Sequence, residues 1–229
     1  MKGLESASCV VDLSNVTKIF GVNDHKTTAI RNVSLQASLG ELLLLLGPSG
    51  SGKTTLLTLI AGLIKPTGGT VSLFGRSIDR FSMRELQELR ALRIGFIFQN
   101  FLLIDSLTVI ENVAVVLHFK GETRTAAQRQ ARGLLEQFHI EHLARKFPST
   151  LSQGEKQRVA VARAIANDAD IIIADEPTAS LDTKRGLEII QFLHAYAKGK
   201  ERCVIVASHD LRIVELADRV IPLEDGILI

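Results

Sequence analysis

Apolar residues in this chain gather into short unbroken runs, and between the runs lie stretches whose apolar positions recur every three to four residues. The clearest run, Leu42 to Leu46, follows Glu41 and is apolar at every position, the pattern of a strand buried on both faces of a parallel sheet. Ile94 to Phe98, Ile171 to Ala174 and Val204 to Ala207 have the same character. After the first run, Thr54 to Ala61 is mostly apolar and free of proline and glycine, which predicts a helix. Gly62 stands where a C′ residue ends one. Ser82 with Glu85 forms a capping-box signal for a helix towards Arg93, and another helix is predicted from about Thr183 to Ala197.

From Val10 to Leu46 the pattern alternates or breaks into short apolar pieces at Gly21, Asn23, Asp24 and Gly40, which predicts a small sheet of several strands. Pro66, Gly68 and Gly69 lead into a further strand, Thr70 to Phe74. Asp225-Gly226, between Val220 to Leu223 and Ile227 to Ile229, predicts a closing hairpin. Residues 99–166 differ, with helical periodicity, no convincing strand, and start signals at Thr108 with Glu111 and Ser152 with Glu155. The expected fold is therefore α/β with a mostly parallel sheet, an antiparallel β subdomain near the N-terminus and an inserted α-helical subdomain. One domain spans 1–229, with a core of 9–98 and 167–229 and a helical insert of 99–166.

The turn between the first run and the first helix reads Gly47-Pro48-Ser49-Gly50-Ser51-Gly52-Lys53-Thr54, followed by Thr55. Strand, glycine-rich turn and helix in this order make a phosphate cradle. The glycines let consecutive backbone N–H groups point inward, and the positive end of the helix adds to their pull on an anion. Lys53 would reach the β- and γ-phosphates, and the Thr54 hydroxyl would ligate Mg²⁺. The chain thus reads as a P-loop NTPase of RecA-like type.

Composition changes this picture little. Hydrophobic residues make up 46% of the 229, enough for one large core, and 27 Lys and Arg against 25 Asp and Glu give a net charge of +2, too weak a bias to point to nucleic acid. Cys9 and Cys203 lie far apart without metal-ligand spacing, which fits a reducing compartment and no disulfide scaffold. No aliphatic run approaches the roughly 20 residues of a membrane span. Residues 1–8 lack the apolar core of a signal peptide and read as a frayed start.

A phosphate loop serves kinases, GTPases and ATPases alike, so a second motif must choose among them. Ile171 to Ala174 would carry Asp175 to the sheet edge beside Thr54, where its carboxylate can hold Mg²⁺. Glu176 would face the γ-phosphate and position or deprotonate a water. The plainer reading is an acidic pair ending a strand before Pro177. Ser208-His209-Asp210 follows the Val204 to Ala207 run, so His209 also sits at a strand's carboxyl end and could bond the γ-phosphate, or it simply starts a helix that Asp210 caps. Leu151-Ser152-Gln153-Gly154-Glu155, ahead of a helix from Lys156 to about Ala166, is a capping box on its face.

Taken together, Lys53, Ser152, Gly154, Asp175, Glu176 and His209 match the sequence order of the ATP-binding-cassette ATPases, and the chain resembles that family over nearly its whole length. The resemblance implies Mg-ATP as the ligand and a second copy of the chain as partner. Ser152 and Gly154 would close over ATP held by the other copy's phosphate loop. It implies that Gln99 bridges Mg²⁺ or the attacking water to the helical subdomain, that Phe20 stacks on adenine, and that Asp182, in Ser180-Leu181-Asp182, communicates across the dimer. For Phe20 and Asp182, core packing and helix capping remain open readings.

Gln153 departs from the family pattern, which usually has glycine there, so the closed dimer is expected to be looser or hydrolysis slower. The cluster Phe101-Leu102-Leu103-Ile104 lies where such cassettes receive a helix of a separate membrane permease, with core packing as the plainer reading. Ile94 to Gln99, Leu107 to Val113 and Ala174 to Thr178 look like the branch that serves lipoprotein release and macrolide export. The expected place is then the cytoplasmic face of the membrane, with no nucleic acid and no direct contact with the transported molecule. A soluble cassette regulating a protein complex is the alternative. His139 and His142, beside Glu136 and Glu141, and the basic run Arg124, Arg129 and Arg132 are read as solvated helix surface.

Overall fold

A computed structural model describes residues 9–21, 25–179 and 181–229. The turn residues Asn23 and Asp24, the frayed start at 1–8 and Ser180 lie outside the described residues. β1 (Cys9–Phe20) and β2 (Thr27–Ser38) form a long antiparallel pair. Its register shifts at several points, including between Leu13 and Val16, where Asn15 takes a left-handed φ of 52°. These bulges break the strict alternation that a flat strand would show.

β3 (Leu42–Leu46) begins the main sheet and leads through the glycine-rich turn into α1 (Lys53–Ile60). The small sheet is then completed by strands that follow the loop: β4 (Gly68–Leu73) pairs with β1, and β5 (Arg76–Ser77) pairs with β4. α2 (Met83–Arg93) carries the predicted reciprocal cap of Ser82 and Glu85, and β6 (Ile94–Ile97) follows it. Residues 99–166, all described, hold α3 (Val109–Phe119), α4 (Arg124–Gln137) and α5 (Gln153–Ile165) and no strand. Both predicted capping boxes are present, at Thr108 with Glu111 and at Ser152 with Glu155, and the second starts its helix three residues before Lys156.

The chain returns to the main sheet in β7 (Ile171–Asp175), passes α6 (Thr183–Lys200), and ends in β8 (Cys203–Ser208), β9 (Arg219–Glu224) and β10 (Ile227–Leu228). The strand order is β10-β9-β3-β8-β7-β6, parallel throughout except for the terminal hairpin, where Asp225 and Gly226 both have positive φ as predicted.

The unbroken apolar runs are explained by what covers each face. Leu43, Leu45, Ile171, Ile173 and Ile205 pack with α1 and the antiparallel sheet, while Leu42, Leu44, Ile172, Val204 and Val206 pack with α3 to α6. Each such side chain, fully buried, contributes about 1.5–3 kcal/mol. The helical layer sits directly on the sheet edge at Gly95, where a Cβ would come within 2.0 Å of the Ala164 carbonyl oxygen, so α5 and β6 can meet only through glycine. Among the described residues, no helix is long and apolar enough to cross a membrane.

Candidate functional site

The phosphate loop leaves β3 at the carboxyl edge of the sheet, where Leu46 is in register with Ser208 of β8. Its last glycine, Gly52, caps α1 with a φ of 102°, and a Cβ there would lie 2.6 Å from the Ala29 carbonyl oxygen. Only glycine fits that turn. Lys53, first in the helix, is buried. Its Nζ donates to the carbonyl oxygens of Gly47 (2.7 Å) and Pro48 (2.9 Å) and lies 3.4 Å from Glu176 Oε1. The ammonium thus arches back over its own loop, between the cradle and the carboxylate that follows β7.

Thr54 Oγ1 donates to Asp175 Oδ2 at 2.7 Å, joining the loop helix to the end of β7 as expected. The other oxygen, Oδ1, is buried and has no hydrogen-bond partner. Burial holds the Asp175 carboxyl above its ordinary value; the Thr54 hydrogen bond opposes this, the Glu176 charge adds to it, and Lys53 opposes it. A buried carboxylate oxygen without a partner is costly. Beside a hydroxyl, it is the hard oxygen pair that suits a divalent cation such as Mg²⁺.

Glu176 follows with a left-handed φ of 49°, and its backbone N–H donates to the Ala207 carbonyl at 2.9 Å. Strained backbone at a non-glycine residue persists only where its surroundings hold it, and such residues cluster at functional sites. The side chain is only 8% exposed; Ser208 Oγ donates to its Oε2 at 3.3 Å, and His209 Nδ1 lies 3.0 Å from its Oε1. His209 itself is 56% exposed. Asp210 caps the short turn that follows, as the plainer reading of this segment expects.

A cavity of about 300 Å³ gathers Ser49, Gly50, Gly52, Lys53, Thr54, Thr55, Gln99, Asp175 and Glu176. Ala29 of β2 also lines it and was not foreseen, because a small residue in a bulged strand carries no signal of its own. Ser208 belongs to a motif visible in the sequence, but nothing in that motif signals its contact with Glu176. Gly47, Pro48 and His209 line an adjoining cleft, and the buried Ser51 Oγ lies beneath the loop without a partner.

The remaining candidates lie elsewhere. Phe20 is 43% exposed with Lys18 Nζ 5.1 Å from its ring centre, which sets aside the core-packing reading. Ser152 is exposed and donates to Glu155 Oε2 at 2.7 Å, and Gly154 lines a separate cavity with Leu181. Asp182 caps α6 by accepting from the Arg185 N–H. None of these four lines the phosphate cavity of its own chain. The apolar cluster after Gln99 divides: Phe101 is buried, whereas Leu102 is 57% and Ile104 42% exposed. His139 and His142 are both exposed, and among the described residues no group of three or more His, Cys, Asp or Glu side chains could hold a metal.

Residues 30–179 match the family model described as ABC transporter. The chain is 41% identical to a putative hemin import ATP-binding protein, HrtA, of Staphylococcus haemolyticus, over 94% of this chain and 97% of that one. It is 36% identical to the macrolide export ATP-binding/permease protein MacB of Agrobacterium fabrum, covering 96% of this chain but 34% of that longer protein. Among solved structures, the ATP-binding cassette MJ0796 of Methanocaldococcus jannaschii, a dimer in a post-hydrolysis state bound to ADP and Pi, superposes with a TM-score of 0.90 at 39% identity. That match covers 95% of this chain and 96% of that one.

Proposed function

The chain belongs to the ABC transporter family as an ATP-binding subunit that hydrolyses ATP, and from that premise we propose how its residues divide the work. The observation that carries the reading is the Thr54–Asp175 hydrogen bond with its unpartnered Oδ1, set beside Lys53 and Glu176 in one cavity. The loop N–H groups from Gly47 to Thr55 bind the phosphates, and Lys53 exchanges the Gly47 and Pro48 carbonyls for β- and γ-phosphate oxygens. Thr54, Asp175 and Gln99 hold Mg²⁺, which when bound neutralises charge on the phosphate oxygens. Phe20, half-exposed, stacks on adenine.

Glu176 takes a proton from water as the water oxygen attacks the γ-phosphorus, the bond to the β,γ-bridging oxygen breaks, and ADP leaves with the electron pair. His209 and Ser208 orient that carboxylate, and His209 also reaches the γ-phosphate.

The site is completed by a second copy. The start of α5, away from its own phosphate cavity, offers the Gly154 N–H, the Ser152 hydroxyl once it turns from Glu155, and a partial positive charge to the other chain's γ-phosphate. The dimeric MJ0796 cassette supports this arrangement. Asp182 carries the state of one site to the other, and Gln153 slows closure by placing a side chain where backbone must approach phosphate.

Leu102 and Ile104 face outward to receive a helix of a membrane permease, so the chain acts at the cytoplasmic face of a membrane and never touches the transported molecule. We read the coupled process as export of the macrolide or lipoprotein-releasing kind, on the similarity to MacB. The test is purification from native membranes with mild detergent. A co-purifying subunit with a few apolar spans and a large outer domain is expected; recovery only in soluble complexes would replace transport by regulation of a protein assembly.

A further inference from the structure

We propose that Arg163 is a positioning residue for Gln99. The inference rests on the reading of Gln99 as part of the nucleotide site, and it concerns what holds that residue there. Gln99 is not fixed by its own strand, because β6 ends two residues earlier at Ile97. It is instead a central residue of a tight turn closed by the Phe101 N–H on the Phe98 carbonyl at 2.9 Å, and the Leu102 N–H closes back on Asn100 at 2.6 Å. Where Gln99 lies therefore depends on where Phe101 and Leu102 are held.

Those two residues are in the left-handed region, with φ of 60° and 44°, which non-glycine residues avoid unless something secures them. The securing group is visible. Arg163 Nη2 donates to the Phe101 carbonyl and Nη1 to the Leu102 carbonyl, both at 2.6 Å. A planar guanidinium can satisfy two adjacent carbonyls at once, whereas an ammonium is a point donor.

Both ends of this clamp are anchored. Arg163 lies in the last turn of α5, next to Ala164, whose carbonyl bears on Gly95 of β6. Downstream, the fully buried Asn112 accepts from the Ile104 N–H at 2.7 Å and donates to the carbonyls of Ile104, Leu107 and Thr108. Slack released at Phe101 and Leu102 cannot be taken up beyond Ile104, so it passes to the turn that carries Gln99. One helix of 13 residues, about 20 Å long, then presents Ser152 at its start and fixes the Gln99 turn at its end.

The test is a cycle of ATPase measurements on Arg163→Lys, which keeps the half-buried charge, with Arg163→Met as the stronger variant, each alone and combined with Gln99→Ala. In the otherwise unchanged chain, kcat should fall about fivefold for Lys and tenfold or more for Met, with KM for ATP nearly unaltered. In the Gln99→Ala chain, the same changes should have no further effect, because the group they position is gone. Equal losses in both backgrounds would show a general structural role and overturn the proposal. So would normal turnover in Arg163→Lys while Gln99→Ala is slowed. Normal turnover in Gln99→Ala itself would instead overturn the reading of that residue, and this inference with it.

Discussion

Glu176→Gln should bind ATP as tightly as the unaltered chain and hydrolyse it about 10²- to 10⁴-fold more slowly, the usual scale for loss of a general base. The substitution preserves size and leaves an amide oxygen able to accept from Ser208, so the pocket at the end of β7 keeps its shape. What it removes is the proton acceptor and the negative charge 3.4 Å from Lys53. Losing that charge leaves Lys53 freer to turn to phosphate, so binding is retained while the chemical step fails. With ATP persisting at the site, the dimer should accumulate, because nothing removes the γ-phosphate that bridges the two copies. Single-turnover phosphate release measures the first effect and light scattering the second. Turnover unchanged by Glu176→Gln would take this residue out of the role of base.

Lys53→Ala should act at the earlier step and weaken nucleotide binding about 10- to 100-fold, since each hydrogen bond to a charged group is worth about 1.5–3 kcal/mol. The Lys53 ammonium also bonds the Gly47 and Pro48 carbonyls, so part of what phosphate offers is offset by what it must displace. The loss therefore stays within that range. Calorimetric titration with ATP reads the effect directly, and an unaltered affinity would contradict the cradle assignment.

The parts of the fold that were legible in sequence are those in which one physical requirement dominates a short segment. Leu42 to Leu46 must be apolar throughout because helices cover one face and α1 with the small sheet covers the other. Ser82, Thr108 and Ser152 announce their helices because each carboxylate three residues on returns the cap. The small sheet was only partly legible. Its bulged strands lose the two-residue period, and β4 joins it from beyond the phosphate loop, a pairing that no local pattern encodes.

The site shows the same division. Lys53, Thr54, Asp175 and Glu176 belong to contiguous strand-end motifs, and the fold brings them together as expected. Ala29 at the cavity wall belongs to no motif, and Arg163 bonds backbone carbonyls of residues distant in sequence, so neither side-chain type reveals its place in advance. Ser152, Gly154 and Asp182 sit away from the cavity in one chain, and there each serves the plain role of cap or wall; a role in a second copy's pocket is the proposal.

That sharing is tested most directly by mixing two inactive chains, Ser152→Arg and Lys53→Ala. In the mixed pair, one pocket combines an intact phosphate loop from the first chain with an intact Ser152 from the second, while the other pocket carries both defects. Steady-state ATPase activity of the equimolar mixture should therefore rise well above that of either chain alone. A mixture as inactive as its two components, once exchange into mixed pairs has been verified, would contradict a pocket built from two copies.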